Sequence, residues 1–264
     1  MIRTVDIEKS FGENHVLKGI TTEFYAGKPN LIIGASGAGK TVLLKLLIGL
    51  FQPNSGEVFY GDTNIFQLDK KELRKIRMQI GMLFQGNALF DSMTVGENIR
   101  FPMDMFTRRS LKDKQLRVDE CLEMVNMEGI NDRYPSEVSG GMQKRVGIAR
   151  AMVLEPKYLF CDEPNSGLDP QTSILIDELI CDLTNRNNIT TVINTHDMNS
   201  VMGIGDNILL MKNGHVAWTG DKSQVLESDN DTLEDFIFAS PFLQRLREDA
   251  LELRNQEEEE EKNN

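Results

Sequence analysis

Eleven consecutive residues, Leu31-Ile32-Ile33-Gly34-Ala35-Ser36-Gly37-Ala38-Gly39-Lys40-Thr41, restrict the fold more than any other part of the chain. An apolar run ends at a glycine, the spacing GxxxxGKT follows, and Val42, Leu46 and Leu50 then recur on one helical face. A strand, a glycine loop and a helix must therefore follow one another in that order. The glycines remove the Cβ atoms that would keep successive backbone amides from converging on an anion. The helix start adds the positive end of its dipole. Within this pattern Gly34, Ser36, Gly37, Ala38 and Gly39 form a phosphate cradle, Lys40 reaches the β- and γ-phosphates, and the Thr41 hydroxyl can ligate Mg²⁺.

A second apolar run, Tyr158-Leu159-Phe160-Cys161, ends in Asp162-Glu163. In a parallel sheet the C-terminal strand ends gather on the side of the phosphate loop. There Asp162 can hold Mg²⁺ through water, and Glu163 can position a water in line with a γ-phosphate. Further strand-like runs cover Ile2–Ile7, Ile20–Tyr25, Glu57–Tyr60, Met78–Gln85, Thr190–Asn194 and Asn207–Met211, and Asn213-Gly214 marks a hairpin before Val216–Thr219. Helical patterns cover Lys71–Arg77, Leu111–Met127, Gly140–Leu154 and Thr172–Asn185. Strands alternating with helices predict an α/β fold of the P-loop NTPase type, with a mostly parallel sheet covered on both faces. An antiparallel β portion is expected at the N-terminus. The expected division is an ATP-binding core at 1–85 and 156–226, a helical subdomain inserted at 86–155, and an extension at 227–264 with an acidic, disordered tail.

Composition narrows the setting. The net charge is −12, and residues 248–264 carry eight acids against two bases, half of that excess. Such a balance disfavours nucleic acid as a partner. Three cysteines are too few and too scattered for a disulfide framework or a zinc site. Asp6 and Glu8 stand where a signal peptide needs an apolar run. The longest greasy stretch, Val42–Phe51, falls well short of the ~20 residues of a membrane helix. A peripheral protein is expected, reaching a membrane through a partner.

The third motif, Val138-Ser139-Gly140-Gly141-Met142-Gln143-Lys144-Arg145, exposes several amides at a second helix start. One chain cannot easily fold both phosphate surfaces around the same nucleotide. Together the motifs resemble the nucleotide-binding subunit of an ABC transporter over roughly residues 1–225. The family signature LSGGQ reads VSGGM here, with Ser139, Gly140 and Gly141 retained. The resemblance implies a head-to-tail dimer in which these residues face the ATP bound by a second copy. It further implies that Gln85 touches Mg²⁺ and the attacking water, that Asp169 belongs to the D-loop Ser166-Gly167-Leu168-Asp169, that His196 orients the water, and that Phe11 stacks on adenine. ATP and Mg²⁺ are the implied cofactors.

The segment from Gln85 to Met103, with GNALFDSMTVGENI followed by Phe101-Pro102-Met103, resembles the Mla/Mce subgroup, which moves lipids between bacterial membranes. That resemblance implies an integral permease docked on this segment, an Mce-type substrate-binding protein, sometimes a small regulatory subunit, and a position on the cytoplasmic side of the inner membrane. Apolar residues near the C-terminus, Phe236, Ile237, Phe238, Pro241, Phe242 and Leu243, are expected to pack on a neighbouring subunit or regulator. Two other readings stay open: an ATPase serving a different permease, such as a polar amino-acid importer, and a soluble ABC-type ATPase acting on ribosomes or DNA.

Overall fold

The apolar runs and periodic segments resolve into two sheets and a set of helices in a computed structural model that describes residues 1–237. In chain order the elements are β1 (Ile2–Phe11), β2 (Asn14–Phe24), β3 (Lys28–Ile33), α1 (Lys40–Leu47), β4 (Ser55–Tyr60), β5 (Thr63–Asn64), α2 (Lys70–Arg77), β6 (Ile80–Leu83), α3 (Val95–Phe106), α4 (Leu111–Met124) and α5 (Gly140–Met152). They continue with β7 (Tyr158–Asp162), α6 (Pro170–Asn187), β8 (Thr190–Asn194), α7 (Met198–Ile204), β9 (Asn207–Lys212), β10 (His215–Gly220), α8 (Lys222–Val225) and α9 (Asp231–Ile237). The smaller sheet has the order β2-β1-β4-β5 and is antiparallel. The larger has the order β10-β9-β3-β8-β7-β6, parallel except for the hairpin strand β10. The turn of that hairpin places Asn213 at φ 53 and Gly214 at φ 84, as a type I′ turn requires.

Because successive strand residues point to opposite faces, β3 serves two cores at once. Leu31 and Ile33 face a core built with α3, α4, α5 and α6, while Ile32 faces one built from α1 and the small sheet. Burial on both sides explains why β7 and the Leu31-Ile32-Ile33 end of β3 read as continuous apolar runs instead of alternating, and why every residue of β8 is buried, its threonines and asparagine included. The glycine loop that leaves β3 therefore stands on a rigid base, with β9 on one side and β8, then β7, on the other.

Between β6 and β7 the chain forms only helices and loops. Within this region Arg117 ties α4 to the end of α5, its Nε donating to the Val153 carbonyl (3.2 Å) and its Nη2 to the Met152 carbonyl (3.0 Å). Those are carbonyls that the end of α5 leaves without helical partners. Helix α3 has no counterpart among the segments read from sequence, because Pro102 lies inside it and breaks the expected pattern. Its start is nevertheless signalled: Thr94 and Glu97 form a reciprocal capping box. After Leu226 the sequence looks irregular, yet α9 forms there. Leu233 and Ile237, one helical turn apart, are both buried in the core of the same chain. Ile237 is therefore no free docking residue, contrary to expectation. Phe238, Pro241, Phe242, Leu243 and the acidic run lie outside the described residues.

Candidate active site

The cleft begins with the loop between β3 and α1. Gly34 has φ 141, and a Cβ there would lie 2.3 Å from the Met211 carbonyl oxygen. Gly39 has φ 103 and caps α1 without a side-chain bond. The first turn of α1 therefore carries amides that no side chain satisfies and no acidic residue to compete for them, which suits an anion. Lys40 lies back along its own loop, Nζ donating to the carbonyls of Gly34 (2.7 Å) and Ala35 (3.1 Å). Burial holds its ammonium below the ordinary lysine range, with Glu163 and Asp162 pulling the other way.

The cleft, about 780 Å³, is lined by Gly34, Ala35, Ser36, Gly37, Gly39, Lys40, Thr41 and Val42 of this loop together with Asn14, Val16, Gln85, Glu163, His196, Met198 and Phe236. Ala38, expected in the cradle, is buried in the core of α1 and the small sheet instead and does not line the cleft. Glu163 has φ 51, a left-handed turn placed directly after β7. The Glu163 amide donates to the Asn194 carbonyl at 2.8 Å, and Oε2 lies 2.7 Å from Nδ1 of His196. Asp162, at the end of β7, is buried, and Asn194 of β8 donates through Nδ2 to its Oδ1 (2.5 Å) and to Oγ1 of Thr41 (3.2 Å). One hydroxyl and one carboxylate from different elements are thus brought together, a donor set for a hard cation completed by phosphate oxygens and water. Among the described residues no group of three or more His, Cys, Asp or Glu side chains could hold a metal by itself.

Other predicted residues stand elsewhere. Ser139 caps α5 by accepting from the Met142 amide (3.3 Å), and neither it, Gly140 nor Gly141 lines the cleft. Asp169 caps α6, accepting from the Thr172 amide and hydroxyl, which lowers its carboxyl below the usual range. Phe11 is 45% exposed in the β1–β2 turn, edge-on to Phe51 and beneath Lys9 Nζ, and it does not line the cleft.

Three residues of the site were not foreseen. Lys144 of α5, 2% exposed, donates to the Gln85 carbonyl (2.8 Å) and lies 3.5 Å from that of Glu163. Burial lowers its pKa. Asn194 closes β8, which reads Thr190-Thr191-Val192-Ile193-Asn194, and among other polar residues it gave no local signal. Phe236 faces the cleft of its own chain instead of a neighbour, and a short helix after an irregular stretch offers no local pattern that would place it.

A glycine loop, two carboxylates ending a buried strand and a histidine on the next strand's exit constitute a nucleotide-hydrolysing arrangement. The family model described as ABC transporter matches residues 17–166, more than half of the chain. The chain is an ATPase of the ABC transporter family. It is 37% identical over 238 residues to the "Probable ribonucleotide transport ATP-binding protein mkl" of Mycobacterium leprae, covering 89% of this chain and 68% of that protein. It is 40% identical over 217 residues to the "Methionine import ATP-binding protein MetN" of Geobacillus kaustophilus, covering 82% and 63%. The chain therefore spans about two thirds of the length of such relatives. Among solved structures, the ATP-binding cassette MJ0796, a dimer bound to ADP and Pi, superposes with a TM-score of 0.76 at 32% identity, covering 84% of this ABC ATPase and 99% of that chain. No helix among the described residues is long and apolar enough to cross a membrane.

Proposed function

We propose that this ABC ATPase powers the movement of phospholipid or another lipid through a separate integral permease, closing with a second copy of itself around two ATP molecules. The observation that carries the permease reading is a groove of about 400 Å³ beside Gln85. Phe84, Phe90, Phe101 and Phe106 line it, between Arg77 and Arg150. Phe84, Phe90 and Phe106 are each more than two fifths exposed, which is apolar surface a monomer has no reason to keep open. Asn98, fully buried, pins the groove's wall: its Oδ1 accepts from the Phe90 amide (2.8 Å) and its Nδ2 donates to the carbonyls of Phe90, Met93 and Thr94. The lipid reading rests on the sequence of that wall, Gly86–Met103. It brings with it an Mce-type partner, a possible regulatory subunit and a place at the cytoplasmic face of the inner membrane.

In this reading the chemistry is positioning and electrostatics. The loop amides and Lys40 hold the β- and γ-phosphates, exchanging the ammonium's present carbonyl partners for phosphate oxygens. Thr41, Asp162 and Gln85 would hold Mg²⁺, which when bound neutralises charge on the phosphate oxygens. Glu163 accepts a hydrogen bond from the attacking water and His196 steadies both Glu163 and the γ-phosphate, consistent with their 2.7 Å contact. Ser139, Gly140, Gly141 and Asp169 reach the partner copy's nucleotide, and Phe11 stacks on adenine.

A second reading has its own support: the relatives include proteins named for methionine import and ribonucleotide transport, both small polar cargoes. Purification of the intact complex from native membranes, followed by mass spectrometry of bound proteins and lipids, separates the two. A permease with stoichiometric phospholipid is the expected result. A permease carrying no lipid, with a soluble solute-binding protein, would overturn the lipid cargo.

A further inference from the structure

We propose that Asn194 is a positioning residue for the nucleotide-bound divalent cation, a deepening of the cation reading above and resting on it. The residue closes β8, the strand between β3 and β7, where the parallel register sets it beside Ile32 on one side and Asp162 on the other. It is 1% exposed. Its amide nitrogen donates to Thr41 Oγ1 at 3.2 Å and to Asp162 Oδ1 at 2.5 Å. It therefore spans two of the three side chains that would hold the cation, drawn from elements more than a hundred residues apart in the chain. Through its main-chain carbonyl it also accepts from the Glu163 amide at 2.8 Å, fixing the turn that presents the carboxylate to water.

Packing alone does not account for an asparagine here. Its Oδ1 is buried without a hydrogen-bond partner, a cost that valine or leucine at the same place would avoid. The amide cannot relieve that cost by turning over, because Oδ1 would then meet the Asp162 carboxylate. What the arrangement gains is order in the ligand oxygens. Asp162 Oδ1 is engaged by the amide, leaving Oδ2 for a cation-bound water. One lone pair of Thr41 Oγ1 is engaged likewise, leaving the other for the cation. Both bonds come from a neutral group, so the site gains geometry without gaining charge. Residues that orient metal-binding oxygens in this way tune affinity strongly.

The test uses the full chain with Mn²⁺ in place of Mg²⁺ and a non-hydrolysable ATP analogue, reading free Mn²⁺ by electron paramagnetic resonance. Nucleotide affinity in EDTA is measured in parallel. Asn194→Leu keeps the branched heavy-atom skeleton and removes the donor, and Asn194→Ser keeps a hydroxyl too short to span both oxygens. Both variants are expected to weaken Mn²⁺ binding by about tenfold or more, with metal-free nucleotide affinity within about twofold of the native chain. Unchanged Mn²⁺ affinity in both variants would overturn the proposal. So would equal losses with and without metal, the mark of a merely structural residue. A native chain that binds nucleotide equally with Mn²⁺ and with EDTA would overturn the cation reading itself, and the proposal with it.

Discussion

Glu163 carries its carboxylate on a left-handed backbone, φ 51, a conformation that glutamine tolerates as well as glutamate does. Glu163→Gln therefore changes charge and basicity without disturbing the turn. Turnover is expected to fall by about 10²- to 10⁴-fold, with ATP affinity held within a small factor. Phosphate-release and equilibrium-binding assays check the two halves, and near-native hydrolysis would falsify the assignment. Lys40→Ala should do the reverse and weaken ATP binding by roughly 10- to 100-fold, since it removes charged hydrogen bonds to the phosphates. Isothermal titration reads that loss directly. A third expectation concerns Asp177 of α6, buried among Asn165 and Ser200, with Asp197 nearby. Burial raises its pKa above the ordinary aspartate value. The folded chain thus keeps this proton to higher pH than the unfolded chain, and stability falls as pH rises through that interval. Asp177→Asn should remove this slope, so that its melting temperature relative to native is higher at pH 8 than at pH 4. A constant difference across that range would show that Asp177 does not contribute.

Helices α5 and α6 meet at Gly141, where an added Cβ would lie 2.7 Å from Thr172 Cγ2, whereas at Gly140 the nearest atom, Leu168 Cδ2, is 3.9 Å away. Gly141→Ala is accordingly expected to cost about 1–3 kcal/mol through overpacking and Gly140→Ala much less. Thr172→Ser, which deletes the offending methyl, should restore most of the loss, as denaturant melts of the single and double variants would reveal. This contact also marks how far the sequence could be read. The glycine loop, the strand ending in Asp162-Glu163 and the helix opening at Ser139 were legible because each couples a hydrophobic period to a residue with a fixed backbone duty. That Gly141 packs against Thr172 was not legible, since it depends on how two elements meet. The same holds for Asn194 and Lys144, whose partners sit on remote segments and leave no local pattern. Helix α3 was hidden for the opposite reason, a local signal from Pro102 that tertiary packing overrides.

Across the whole molecule the exposed Ser139 and Gly140 present a helix start with nothing from their own chain's cleft against it. If they meet a second copy's ATP, Ser139→Arg should leave nucleotide affinity of the single chain intact and block its ATP-dependent doubling in mass. Light scattering in the Glu163→Gln background, where ATP persists, tests this. A Ser139→Arg variant that still dimerises would remove Ser139 from the interface. The segment entering the helical region is fastened to α5 at three points: Lys144 holds the Gln85 carbonyl, while the Arg150 guanidinium holds those of Asn87 and Ala88 at 2.6 Å each. The groove wall and α5 therefore behave as one lever. The helix, 13 residues long, measures about 20 Å, with its C-terminal half at the groove and Ser139 at the far tip. A tilt of only about 5° would carry that tip through roughly 2 Å, enough to make or break a hydrogen bond.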